Sequence, residues 1–261
     1  MNVSKKISLI ILLGSLLFAS LACSLTTPEP TAEPTLLPTK EPTKVPPTKE
    51  PTAAAEVNTD TEIQKKSDGT SLFIDHQGKY QLSMPKNWIL VELSNDSAGG
   101  AIGEAVDNIA EENPDISEEL FNMGVEMVAE GSRFFAVDLN EGHSNDQMTT
   151  SAFSVISEDV SGFELSTLVD MTAQSLPAQL PDVEILLSDV ETNASGTELG
   201  VIEYILTLND ESGTPVNIYE RMVFIKNNDL VTMLVLVTNM DLFPVVSTDF
   251  DKIQESIVLL P

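Results

Sequence analysis

The chain has 261 residues and carries 13 lysines and arginines against 41 aspartates and glutamates, giving a formal net charge of −28. This charge argues against a nucleic-acid-binding protein and against attachment to anionic lipids, because both depend on clustered basic residues. Residues 67–261 hold six basic and 34 acidic residues, whereas residues 1–66 hold seven of each, so the charge belongs to the second region. A hydrophobic content of 42% is enough for that region to fold.

The first 22 residues have the layout of a secretory signal peptide. Lys5 and Lys6 form a short positive segment, an uncharged and mostly apolar run follows at 7–18, and small residues end in Ala22. The apolar run is shorter than a membrane-spanning helix requires. We therefore interpret residues 1–22 as a signal peptide that is removed.

Cys23 is the only cysteine of the chain, so no intramolecular disulfide and no cysteine-based metal site can form. The segment Ser20-Leu21-Ala22-Cys23 resembles the lipobox of bacterial lipoproteins, although in that family Leu is commoner three places before the cysteine and Ser or Ala two places before. The resemblance implies cleavage before Cys23, a diacylglycerol on its sulfur, and attachment to the extracytoplasmic side of a bacterial membrane. An ordinary signal peptide with a chance cysteine and an uncleaved anchor are the alternatives.

A proline-rich segment follows, and residues 23–66 are interpreted as the lipidated cysteine and a disordered spacer. Residues 24–56 contain eight of the 15 prolines, and the dipeptide Pro-Thr occurs six times, mostly at four-residue steps. Because proline fixes φ and lacks a backbone N–H, this composition favours extended polyproline II chain over helix or sheet. About 30 residues in that state reach on the order of 90 Å, enough to hold a domain away from a membrane. O-glycosylation and recognition as a proline-rich ligand are further interpretations of the tract.

Residues 67–261 are predicted to form one acidic α+β domain whose order begins near Ser71. In its first half, apolar alternation and turn residues predict five strands, at 71–75, 80–84, 88–93, 133–139 and 152–157. A connecting loop is predicted at 140–150. Residues 98–131 show helical periodicity instead and are predicted to be a helical insert. Tyr80 and Trp88 are predicted to be core residues.

In the second half of the domain, the sequence predicts a helix, an antiparallel meander and a final helix. The first helix is expected over 164–176, ended by Pro177 and Pro181. Four strands joined by short turns follow, at 183–190, 199–208, 216–226 and 229–238. The stretch 230–237 is apolar on both faces, which predicts a central strand. The final helix is expected to lie on the sheet through four apolar residues, Val246, Phe250, Ile253 and Ile257.

The order of these elements resembles the PsbP-like superfamily, which also includes Mog-type and DcrB-type proteins. The segment 78–88, GKYQLSMPKNW, is similar to that family's Gly-Tyr-x-Leu-x-x-Pro-x-x-Trp opening, and the helix before the meander and the closing segment 250–257 also match. The resemblance spans about 70–261 and departs at 98–131, where the family implies a shorter connection. It implies an αβα sandwich used for binding or assembly, without implying a particular partner.

Residues with catalytic chemistry are few. His76 and His143 are the only histidines. His76 is expected to be solvated in a turn, and His143 is expected to be solvated in a polar loop. The motifs of zinc proteases, serine hydrolases and phosphate-binding loops are absent from the sequence. Arg133 and Arg221 lie in predicted strands, which argues against a phosphate clamp. We therefore predict no catalytic residue and no cofactor, with a hydrolase built from scattered Asp, Ser and His as an alternative.

The candidate metal ligands are Asp138, Asn140 and Asp210, which lie in two polar segments that present several oxygens. Neither segment has the spacing of an EF-hand calcium loop, and turn formation explains the same residue types. A calcium-binding surface protein is thus an alternative interpretation of the chain.

The leading prediction is a non-enzymatic, lipid-anchored extracytoplasmic module. Its partners would be a membrane, through Cys23, and an unidentified protein, with no nucleic acid involved. The candidate surface for the protein partner is the insert at 98–131.

Overall fold

The computed structural model describes residues 61–93, 132–145, 148–157, 160, 162–180, 182–209 and 213–261. The predicted signal peptide at 1–22, Cys23, the spacer up to residue 60 and the predicted insert at 98–131 lie outside these residues.

An antiparallel seven-stranded sheet is the centre of the domain. Its strand order is β4-β5-β8-β12-β11-β10-β9. The strands are β4 (Trp88–Glu92), β5 (Ser132–Asp138), β8 (Ser151–Ser157), β9 (Val183–Thr192), β10 (Glu198–Asn209), β11 (Pro215–Asn227) and β12 (Leu230–Asn239). β12 has three strands on either side, and nine of its ten residues are buried. The predicted central position of this apolar strand is therefore confirmed.

A short turn joins β11 to β12 in the meander, as predicted. Asn227 pairs with Leu230, which leaves a two-residue hairpin loop that begins with Asn228 at a φ of 55°. Asparagine tolerates this left-handed conformation better than most residues, and such turns match the twist of the strands that they join.

A second, four-stranded sheet covers part of the large one, in the order β1-β2-β3-β13. These strands are β1 (Thr61–Lys65), β2 (Ser71–Asp75), β3 (Tyr80–Met84) and β13 (Val258–Leu259). β1 lies inside the stretch predicted as spacer, so the prediction that order begins near Ser71 is wrong. The strand forms because it completes a backbone ladder with β2, and its Thr61 hydroxyl donates to the Glu92 carboxylate.

The predicted loop at 140–150 contains a small hairpin, since β6 (Ser144–Asn145) pairs with β7 (Met148–Thr149). Its register joins Ser144 to Thr149 and Asn145 to Met148.

Helix α1 (Leu165–Gln179) continues past the proline that was predicted to end it. Pro177 lies in its last turn, where the helix loses one backbone hydrogen bond. Packing compensates, because Leu176 and Leu180 on either side are both buried and the Leu180 N–H donates to the Leu176 carbonyl at 2.8 Å.

Helix α2 (Phe243–Glu255) begins slightly before its predicted apolar stripe, with Pro244 in the first turn. Proline is favoured there because the first helical N–H groups have no partner within the helix. The four apolar residues expected to face the sheet, Val246, Phe250, Ile253 and Ile257, are all fully buried.

Two hydrophobic cores lie on opposite faces of the large sheet. The first packs α1 against one face, and the second packs α2 and the four-stranded sheet against the other. The predicted core residues Tyr80 and Trp88 lie in the second. The molecule is thus an α+β fold with helices on both sides of an antiparallel sheet, as predicted.

Helix α1 approaches β10 most closely at Gly200. A Cβ atom at this position would lie 2.4 Å from Val169 Cγ2, so only glycine leaves room for the helix. Among the described residues, neither helix has the length and hydropathy needed to cross a membrane.

Candidate functional site

Three potential metal ligands meet where β5 ends beside α2. Asp138 is the last residue of β5, His143 follows a short turn, and Asp249 projects from α2. Each offers a ligand atom, and the three atoms lie within 4.8 Å of one another. We call these residues the Asp–His–Asp cluster.

The turn after β5 returns His143 to the strand end. The His143 N–H donates to the Asn140 carbonyl at 3.1 Å, and Gly142 adopts a φ of 81° that favours glycine. The Thr150 hydroxyl, between β7 and β8, donates to the His143 carbonyl at 2.8 Å and so holds the turn in place. The result places His143 Nδ1 2.6 Å from Asp138 Oδ2.

Asn140 orients the Asp138 carboxylate. Its backbone N–H and side-chain Nδ2 both donate to Asp138 Oδ1, at 2.9 and 2.7 Å. Its own Oδ1 accepts a hydrogen bond of 2.8 Å from Asn87 Nδ2. Asn140 therefore supports the site from behind.

Asp249 brings a second carboxylate into this largely enclosed place. It is 8% exposed and Asp138 only 1%. Lys252, one turn along α2, reaches Asp249 Oδ1 at 2.8 Å, yet its own side chain is 61% exposed. Asp138 thus has His143 as its neighbouring basic group, and Asp249 has a solvated lysine.

Sequence reasoning found part of this site. Asp138 and Asn140 lie there, whereas Asp210 is outside the described residues. The expectation that His143 is solvated is wrong, since its side chain is only 16% exposed and contacts Asp138, because the turn folds it inward. His76, by contrast, is 49% exposed, as expected.

A polar cavity of about 220 Å³ opens on the same face of the sheet, beside the C-terminal part of α2. It is lined by Glu191, Glu203, Arg221, Asp251, Gln254 and Glu255. We call it the acidic cavity. Four carboxylates and one guanidinium give it a net negative charge, and neither histidine contributes to it.

Arg221 is held inside the acidic cavity by its neighbours. Its Nε lies 2.9 Å from Glu203 Oε1, directly across the β10–β11 ladder, and its Nη1 lies 2.8 Å from Asp251 Oδ1. Gln254 accepts from Arg221 at 3.2 Å and donates to Glu191 at 3.1 Å. The lining is therefore ordered by its own hydrogen bonds, with carboxylate in excess.

Arg133, the other arginine, is also held by a carboxylate. Its Nε lies 3.2 Å from Asp75 Oδ2, and Asp75 is fully buried. The same carboxylate accepts the N–H groups of Gln77 and Gly78 at 3.0 and 2.8 Å. This ion pair joins the small sheet to the large one.

A buried carboxyl group also lies on the opposite face of the large sheet. Glu220 is 2% exposed and pairs across the ladder with Tyr204, whose hydroxyl donates to Glu220 Oε2. Its other oxygen, Oε1, has no hydrogen-bond partner among the described residues. Burial raises the pKa of Glu220 to about 7, because the charged form is poorly solvated there.

No protein-family model matches the chain, and no curated protein does. Several solved structures are similar to it at low sequence identity, including the following three. The cyanobacterial PsbP of Synechocystis sp. PCC 6803 is 17% identical, with 73% of this chain and 92% of that one covered and a TM-score of 0.44.

The second is LpqN of Mycobacterium tuberculosis, described as involved in cell envelope biogenesis. It is 12% identical over 77% of this chain and 91% of that one, with a TM-score of 0.43. The third is Mog1p, a Ran-binding protein of Saccharomyces cerevisiae. It is 10% identical over 70% of this chain and 91% of that one, with a TM-score of 0.38. PsbP and Mog-type proteins are two of the groups whose order of elements the sequence resembles.

Proposed function

We propose that this chain is a lipid-anchored module on the extracytoplasmic side of a bacterial membrane, where it binds a protein partner without catalysing a reaction. The observation that carries the proposal is the position of Cys23. The only thiol of the chain stands directly after a signal-type segment and directly before the proline-rich tract. Acylation at that point anchors a chain without a spanning helix.

The spacer and the domain charge fit this placement. An extended Pro-Thr tract holds the folded domain tens of ångströms from the membrane. The strong negative charge of that domain keeps it soluble and away from anionic surfaces. Both features suit a domain that meets its partner in the envelope space.

The acidic cavity is the proposed contact point for a cationic group of the partner. Its excess of carboxylates complements a lysine or arginine side chain, and its one guanidinium is already engaged by Glu203 and Asp251. The insert at 98–131 remains a second proposed contact surface, outside the described residues.

Site-specific photo-crosslinking in intact cells tests this proposal. A photoreactive residue would replace Glu255 at the exposed rim of the acidic cavity, Glu112 in the insert, or His76 in the exposed turn after β2 as a control. We expect one discrete adduct from position 255, position 112 or both, and none from 76. Equal labelling at all three positions, or labelling at none, would contradict a specific partner surface.

A second candidate function is the binding of a divalent cation. The Asp–His–Asp cluster favours it, because three ligand atoms from three separate segments converge within 4.8 Å.

A further inference from the structure

We propose that Asp138, His143 and Asp249 bind one first-row transition-metal ion, with Zn²⁺ the ion that their chemistry fits best. The proposal rests on the second candidate function and deepens it by naming the ion; it needs neither the lipid nor the protein partner. The cluster also differs from the predicted calcium ligands, because a histidine and a residue of α2 join Asp138.

The ligand set is of the right type. Zn²⁺ binds imidazole nitrogen and carboxylate oxygen at about 2.0–2.2 Å, and sites with three protein ligands leave a fourth position for water. Calcium instead takes six to eight oxygen ligands. A ligand set of one imidazole and two carboxylates therefore selects a borderline metal over calcium.

Burial makes a cation at this place favourable. Asp138 and Asp249 are 1% and 8% exposed, and two carboxylates that lie close together in a poorly solvated place repel each other. Lys252 neutralises Asp249 from the solvent side only, because its own side chain is largely exposed. A divalent ion held between both carboxylates and His143 would offset this repulsion directly.

The site is also pre-oriented. Asn140 occupies Asp138 Oδ1 with two hydrogen bonds, so that Oδ2 is the oxygen on the His143 side. Hydrogen bonds from the surrounding shell orient metal ligands in this way. For tetrahedral Zn²⁺, the 2.6 Å separation of His143 Nδ1 and Asp138 Oδ2 would widen to about 3.3 Å, a shift that a turn residue can make.

Titration with metal ions tests the proposal on the full-length chain, with Cys23→Ser in every sample to remove the only thiol. Isothermal calorimetry with Zn²⁺ alone is expected to show one Zn²⁺ bound per chain, and Ca²⁺ is expected not to displace the bound Zn²⁺. His143→Gln and Asp249→Asn should each abolish Zn²⁺ binding at this site. Asn140→Ala should weaken it by roughly 10- to 100-fold, as for other orienting residues.

His76→Gln is the matched control, because it removes the only other histidine and should leave the Zn²⁺ titration unchanged. Nitrogen NMR of the imidazoles gives a readout that needs no substitution in the cluster: Zn²⁺ should shift the ring signals of His143 and not those of His76. The proposal is overturned if the parent chain shows no saturable Zn²⁺ binding. Unchanged binding after His143→Gln, or displacement of Zn²⁺ by equimolar Ca²⁺, would overturn it equally.

Discussion

Glu220 gives the sharpest prediction about stability. The substitution Glu220→Gln keeps the size of the side chain and an oxygen that can accept from the Tyr204 hydroxyl, but it removes the ionisable group. In the wild-type protein, the carboxyl is 2% exposed, and one of its oxygens has no hydrogen-bond partner in the part of the chain that the structure describes. Ionisation of this group in the folded state is therefore costly.

The sign and size follow from the two pKa values. The pKa of this carboxyl is about 7 in the folded protein against an ordinary value of 4.5. Between these values the unfolded chain has lost the proton and the folded protein keeps it, so the free energy of unfolding falls as pH rises. At about 1.4 kcal/mol per pH unit, the loss amounts to about 3 kcal/mol by pH 8.

Urea unfolding between pH 4 and pH 8.5 measures this loss. The difference in unfolding free energy between Glu220→Gln and wild type should rise by about 3 kcal/mol across the range, and the variant should be the more stable at pH 8. The hydrogen bond from Tyr204 lowers the pKa of Glu220. Tyr204→Phe should therefore raise that pKa and enlarge the fall in unfolding free energy with rising pH. Glu184→Gln, at an exposed position, should behave like wild type. Parallel curves for Glu220→Gln and wild type would show that Glu220 does not keep its proton in the folded protein above pH 4.5.

Two further substitutions test the packing of the layers. Arg133→Met leaves buried Asp75 without its ion-pair partner and should lower the unfolding free energy by about 3 kcal/mol or more. As a control, Lys86→Met at an exposed position should change the unfolding free energy by at most about 0.5 kcal/mol. Equal effects of the two substitutions in urea unfolding would contradict a structural ion pair. Gly200→Ala should cost about 1–3 kcal/mol by overpacking, because its Cβ would meet Val169. Adding Val169→Ala should recover part of that loss in thermal unfolding, and wild-type stability of Gly200→Ala alone would contradict the close approach of α1.

Patterns local in sequence predicted most of the fold. The apolar stretch 230–237 predicted a central strand, and the spacing from Val246 to Ile257 predicted the buried face of α2. β1 escaped prediction because Thr-Glu-Ile-Gln-Lys has no apolar alternation and depends on the β2 ladder. The end of α1 was predicted too early, because the burial of Leu176 stabilises the helix by more than the missing hydrogen bond at Pro177 destabilises it.

The candidate sites were less accessible to sequence reasoning. Asp138 and His143 are five residues apart across a glycine-containing turn, a local signal that permitted their contact. Asp249 lies more than 100 residues further along, and only the packing of α2 on the sheet brings it near. The acidic cavity likewise combines residues of three strands and a helix, so no spacing in the sequence predicts it.

Whether the protein is anchored by a lipid can be read from the chemical state of Cys23. Mass spectrometry of the protein extracted from membranes of its native host, or of a bacterium that processes lipoproteins, would determine where the mature chain begins and what its first residue carries. We expect an N-terminal peptide that starts at Cys23 with a diacylglycerol mass on the sulfur, and the loss of both in Cys23→Ser. A mature chain that starts elsewhere, or that carries Cys23 as a free thiol, would contradict the lipid-anchored module.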